Sequence, residues 1–268
     1  MRKEQIRFGP AGLGPVKTAL AVLEQYHSKG LKACEIAFTY GAYIKSKEDA
    51  EEIGEKAKEL GIKLSIHGHY WINLNSKEKA KIEASKERIL ECCKVADWLG
   101  AQCIVFHPGF YNKDVSEKGK EECYDNVREA MVDILKEIKK NKWQVEICPE
   151  TTGKINVFGS VEEISKLAKE TGCGFCIDFA HILAREKRVD FDKIGNAFPQ
   201  KEWHCHFSGI IYNEKGERHH KTTGKEEWEN LFENLKKIAK DKEIIIINES
   251  PTLIEDSVEG LKIWEKMN

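Results

Sequence analysis

The sequence predicts a single α/β domain, a (β/α)8 barrel of the TIM class spanning residues 1–268, and three observations lead there. Short apolar runs of four to six residues alternate with amphipathic stretches of ten to twenty, as in strand–helix units built around a parallel sheet. There are eight of each, whereas an open doubly wound sheet more often has about five or six strands. No linker rich in proline, glycine or serine interrupts the series, and barrels of about 250 residues commonly form one domain.

Taken in order, the first strand is expected near residues 6–9, with a helix at about 15–29 closed by Gly30. A second strand at 33–38 leads to a helix over 48–60, where Ser46 is a natural N-cap and Gly61 a natural stop. The third unit is 62–67 with 77–99, ended by Gly100, and the fourth is 102–107 with 118–141. The fifth strand, 144–149, precedes a helix over 160–171 that begins at Ser160 and ends at Gly172. Strands at 174–179, 203–207 and 243–249 then pair with helices at 190–198, 226–240 and 255–266.

Composition narrows the function classes. Hydrophobic residues make up 41% of the chain, enough for a large core, and 33% charged residues supply a solvated surface. No apolar run approaches membrane-spanning length, and residues 1–10 lack the apolar core of a signal peptide, so a cytoplasmic protein with no membrane contact is expected. The nine cysteines fall mostly inside apolar runs, as reduced cysteines do, so no structural disulfide is expected; the lone Cys173-X-X-Cys176 reads as structural. A net charge of −2 lacks the basic balance usual for a nucleic-acid binder, although bound dications would turn one face positive.

The apolar runs end repeatedly in metal-ligating side chains. His67 and His107 close the third and fourth strands, Glu150 follows the fifth, Asp178 and His206 end the sixth and seventh, and Glu249 follows the eighth. Barrel active sites lie at the C-terminal ends of the strands, so these residues converge although they are distant in sequence. Carboxylates crowded into an apolar mouth repel one another unless cations neutralise them, and two histidines with a carboxylate form a common catalytic zinc set. Two further candidates stand apart: His181, three residues beyond Asp178, and the cluster Glu217-Arg218-His219-His220 in a charged connection. In an extended segment residues two apart share a face, which pairs Glu217 with His219.

The motifs His67-X-X-Tyr70, Phe106-His107-Pro108-Gly109, Glu150-Thr151-Thr152-Gly153, Cys176-Ile177-Asp178-X-X-His181, His206, Arg218-His219-His220 and Glu249-Ser250-Pro251 together resemble the endonuclease IV family of apurinic/apyrimidinic endonucleases, which has a xylose-isomerase-like TIM barrel. The resemblance covers nearly the whole chain and implies three zinc ions. One would sit on His67, His107 and Glu150, a second on Glu150, Asp178, His206 and Glu249, and a third on His181, Glu217 and His219. Glu150 is the implied catalytic residue, bridging the first two zincs with an attacking hydroxide held between them. The implied substrate is damaged double-stranded DNA, cut 5′ to an abasic site to leave a 3′-hydroxyl and a 5′-deoxyribose phosphate, by a protein expected to act as a monomer.

The chain departs from that family pattern in three places. Glu217 stands where Asp is usual, Ser208-Gly209 where Asn-Asp is usual, and Tyr40 to Lys45 where the family places an Arg that wedges into DNA. Tyr43, Lys45, Tyr70 and Trp71 are the remaining candidates for DNA contact. Two other readings compete. A one-metal sugar isomerase or epimerase would need only a quartet like Glu150, Asp178, His206 and Glu249, and a non-catalytic DNA-binding derivative would be expected to have lost ligands.

Overall fold

The computed structural model describes residues 1–112 and 114–268. The apolar runs form β1 (Ile6–Pro10), β2 (Ala33–Ala37), β3 (Lys63–His67), β4 (Cys103–Phe106), β5 (Glu146–Pro149), β6 (Cys176–Asp178) and β7 (Glu202–His206). A hairpin of β8 (Gly209–Asn213) and β9 (Gly216–Lys221) intervenes before β10 (Glu243–Asn248). Apart from this antiparallel hairpin, all strands pair in parallel, in two four-stranded sheets ordered β1-β10-β7-β6 and β2-β3-β4-β5.

The sheets join along two seams, through single bridges between Ala11 and Glu35 and between Glu150 and Cys176, which closes an eight-stranded barrel. At the first seam the backbones nearly touch. A Cβ on Gly9 would lie 1.9 Å from the Ala33 carbonyl oxygen, so only glycine lets β1 approach β2 there.

Around the barrel run α1 (Ala19–Ser28), α2 (Lys47–Glu59), α3 (Lys79–Leu99), α4 (Glu117–Asn141), α5 (Val161–Thr171), α6 (Phe179–Glu186), α7 (Phe191–Ala197), α8 (Lys225–Ile238) and α9 (Leu253–Lys266). The expected caps form: Ser46 accepts from the Asp49 amide at 3.2 Å, and Ser160 and Glu163 make a reciprocal capping box. Gly30, Gly61, Gly100 and Gly172 all take the left-handed conformation after helix ends. The outward faces of the strands pack on these helices, for example where Phe8 meets the rings of Trp228 and Phe232.

Two elements differ from the sequence-based expectation. The apolar run at 174–179 is not strand throughout, because the Asp178 side chain accepts a hydrogen bond from the His181 amide at 2.6 Å and caps α6 from residue 179. The charged connection after β7 folds into the β8–β9 hairpin instead of remaining a loop.

The barrel interior is unusual. Such interiors are ordinarily filled by branched aliphatics. Here Cys103, Val105, Cys148 and Cys176 form their own buried cluster, with Glu35, Ser65 and His204 buried near them. All nine cysteines are free and buried, Cys173 and Cys176 included. Among the described residues, no helix is long and apolar enough to cross a membrane.

Candidate metal centre

The C-terminal ends of the strands bring together side chains from both halves of the barrel. Glu150, fully buried at the β5–β6 seam, is central. One oxygen lies 2.9 Å from His107 Nε2 and 3.4 Å from His67 Nε2; the other lies 3.1 Å from His206 Nδ1 and 3.3 Å from His181 Nδ1. Burial alone would push the Glu150 carboxyl up, but the imidazoles of His107 and His206 outweigh it and hold the group well below the usual carboxylate range. The seat is built locally: Thr151 Oγ1 accepts from the Asp178 amide at 2.8 Å, and Arg185 donates to the Lys154 and Val157 carbonyls at 2.7 and 2.8 Å, pinning the loop after β5.

Three groups of donor atoms result, each lying within 4.8 Å of one another: His67, His107 and Glu150; Glu150, Asp178, His206 and Glu249; and His181, Glu217 and His220. The first two share Glu150. Several imidazoles present a chosen nitrogen because the other is tied back. His67 Nδ1 lies 3.0 Å from the Gly68 carbonyl, His181 Nδ1 3.0 Å from the Thr151 carbonyl, and His220 Nδ1 2.5 Å from Ser208 Oγ. In each case Nε2 is left for a ligand, the usual arrangement behind metal-bound histidines.

The residues fit divalent cations. Asp178 Oδ2 is buried without a hydrogen bond, and burial together with the nearby carboxylates of Glu150 and Glu249 pushes the Asp178 pKa up despite His181 and His206. A cation would supply the charge these acids lack. Burial pushes the His67 ring toward neutrality, but Glu150, aided by Glu35 and Glu249, lifts it to about 9, so a cation would displace a proton on binding.

The pairing of Glu217 with His219 is corrected. Ile211 pairs with His219 and Tyr212 with Glu217, so β9 carries one residue more than β8 across that step. This bulge at Arg218 resets the alternation, placing Glu217 and His220 on one face while Arg218 and His219 are exposed. The Glu217 arm has room because Gly153 lies beneath it, where a Cβ would come within 2.7 Å of Glu217 Cβ and 3.0 Å of His181 Cδ2. Ser208, in the stretch that departs from the family pattern, is the residue that holds His220.

The candidate DNA-contact residues separate. Tyr70 and Trp71 are 59% and 63% exposed beside the mouth, whereas Tyr43 leans edge-on against Phe38 and Lys45 pairs with Glu91 at 2.9 Å. Tyr40, 82% exposed, meets Tyr70 edge-to-face at 5.7 Å and was not among the candidates. Every large exposed apolar side chain among the described residues lies on a connection following a barrel strand, Phe110, Ile155 and Tyr212 included. Tyr40 had a signal, since it opens the stretch where the family Arg is missing. Glu35 had one too, as a carboxylate inside the apolar run Ala33 to Phe38.

A family model described as xylose isomerase-like TIM barrel matches residues 23–266. An uncharacterized protein of Methanocaldococcus jannaschii is 33% identical over a 284-residue alignment covering 99% of each chain. A probable endonuclease 4 of Campylobacter concisus is 28% identical over 213 residues, covering 74% of this chain and 71% of its own. Among solved structures, endonuclease IV from Thermus thermophilus aligns with a TM-score of 0.70 at 19% identity, covering 98% of this chain and 99% of its own. A D-tagatose 3-epimerase-like protein aligns with a TM-score of 0.73 at 20% identity, covering 97% of each. At such identities the solved structures speak to the fold alone.

Proposed function

We propose that this chain, which belongs to the xylose isomerase-like TIM barrel family, is a three-zinc DNA-repair endonuclease that hydrolyses the phosphodiester 5′ to an abasic site. The observation that carries this reading is the third donor group, His181, Glu217 and His220, beside a pair of groups that already share Glu150. One-metal sugar chemistry has use for the quartet of Glu150, Asp178, His206 and Glu249 and none for the rest. The similarity to a probable endonuclease 4 over most of both chains supports the same reading.

When bound, the cations lower the pKa of water to about 7 and neutralise phosphoryl and leaving oxygens. The protein fixes where that happens. Glu150, seated on the seam, would be the ligand common to the first two positions, and the tied-back imidazoles leave little freedom in the direction of their free nitrogens. Glu217, anchored by its own amide to the Gly153 carbonyl at 3.0 Å, holds the third position on the outer side of His181. Tyr40, Tyr70 and Trp71 offer ring faces on which bases left unstacked by the missing base can rest. All donors come from one chain, so a monomer would suffice.

The test is cleavage of a duplex oligonucleotide carrying one abasic-site analogue, with and without chelator, alongside metal counting. Chelator-sensitive incision 5′ to the lesion with about three zinc ions per chain supports the reading. One metal per chain with turnover of a ketose, and no incision, would establish the sugar-epimerase alternative that the shared quartet and the epimerase-like fold neighbour also fit.

A further inference from the structure

His206 breaks the pattern of its neighbours. His67 and His220 are tied back through Nδ1 by neutral oxygens, and His181 Nδ1 meets the Thr151 carbonyl at 3.0 Å with carboxylate oxygens of Glu150 and Asp178 each 3.3 Å away, but His206 turns Nδ1 toward the mouth, 3.1 Å from Glu150 and 3.6 Å from Glu249. Its Nε2 therefore points down into the barrel, where Glu35 Oε1 lies 2.9 Å away. Glu35 sits within β2, fully buried, in a layer that such barrels normally fill with aliphatic side chains. Its second oxygen accepts a hydrogen bond from Ser65 Oγ at 2.8 Å and lies 3.0 Å from His204 Nε2. Glu35 Oε1 and His206 Nε2 are both buried and neither makes an aligned hydrogen bond, although they lie at hydrogen-bonding distance from each other.

We propose that Glu35 is the positioning carboxylate of the metal centre: it accepts a hydrogen bond from the Nε2–H of His206, fixes the tautomer in which Nδ1 is the metal-binding nitrogen, and strengthens that nitrogen with a negative charge behind the ring. The proposal rests on reading the mouth as a metal centre, and not on which reaction the centre performs. A buried carboxylate is costly and needs compensating partners; Ser65 and His204 take one oxygen of Glu35, and the other is left for His206, the partner that also faces the mouth. A carboxylate behind a metal-bound imidazole is the recurrent means of orienting the ring and raising its basicity. The interior also offers a competing use of the same nitrogen, because the donor atoms of Cys176, His204 and His206 come within 4.8 Å of one another. Nε2 cannot donate to Glu35 and bind a cation at once, so the two arrangements exclude each other.

Zinc affinity, measured by competition with a chromophoric chelator on wild type, Glu35→Gln, His206→Ala and the double variant, tests the proposal. Glu35→Gln is expected to weaken one zinc of the set by about 10- to 100-fold and to add nothing in the His206→Ala background. Unchanged affinity in Glu35→Gln, or an equal further loss in the His206→Ala background, would overturn it; the second outcome marks a general structural role. Wild type that binds no zinc would overturn the metal-centre reading and the proposal together, which neither of those outcomes does. Should Glu35→Gln not fold, long-range ¹H–¹⁵N NMR of histidine-labelled, zinc-loaded wild type decides alone. A protonated, downfield Nε2 of His206 supports the assignment, and a protonated Nδ1 overturns it. In cobalt-substituted protein, a sulfur-to-cobalt charge-transfer band abolished by Cys176→Ser would place a cation on the inner cluster and equally overturn it.

Discussion

Glu150 meets four imidazoles, from β3, the end of β4, α6 and β7, two on each oxygen; it shares one donor group with His67 and His107 and another with His206, while His181 belongs to the third. Replacing it with Gln keeps the shape and removes the charge that neighbouring cations need. Glu150→Gln should lower incision of abasic DNA at least about a hundredfold while far-ultraviolet circular dichroism stays unchanged; near-wild-type cutting would refute its bridging role. His219 and His220 give a sharper contrast, since only the second joins His181 and Glu217. His220→Ala should lose about one zinc of three by atomic emission, and His219→Ala none. Acidity makes a third residue-scale prediction. The His67 pKa is raised to about 9 in the metal-free protein. The stabilisation its charge provides is complete below the unfolded value of about 6.5 and is lost as pH rises through about 9. The melting temperature of chelated protein should therefore fall across that window, while zinc affinity rises as the competing proton leaves.

At the scale of elements, the strands and most helices were legible because each carries its own periodicity and caps, as Ser46 and Ser160 show. Most proposed ligands were legible for a related reason: the barrel sends strand ends to one mouth, so position on a strand stands in for distance in space. What could not be read depended on contacts between segments. The start of α6 requires knowing that Asp178 turns back to the His181 amide, and the phase of β9 requires knowing that its partner β8 is one residue shorter across the bulge. Glu35 was hidden because its role is defined by His206, which lies on β7, across the barrel interior. The bulge yields a prediction of its own. Deleting Arg218 removes the extra residue and leaves Glu217 and His220 on a common face of a regular strand, so three zincs should still bind. A zinc count of two after this deletion would show that the bulge itself builds the site.

The whole molecule joins two half-barrels. His67, His107 and Glu150 belong to the sheet containing β3, β4 and β5, whereas Asp178, His206 and Glu249 belong to the sheet containing β6, β7 and β10. Cations held by both sets, as proposed, would bind the folded form and not the unfolded chain, contributing about 4 kcal/mol per site when free metal exceeds Kd a thousandfold. Chelation should lower the melting temperature by on the order of 10 °C for a chain of this size, as differential scanning calorimetry would show. The β5–β6 seam, closed in the fold by the single bridge from Glu150 to Cys176, contains the residue that the first two donor groups share. In the metal-free protein it becomes the natural fault line: deuterium should enter the amides of Thr151 and Asp178 before those of the strand interiors, and a protease should find the loop after β5 first. With the proposed zinc in place, metal supply would then govern how long this protein survives proteolysis as well as whether it is active.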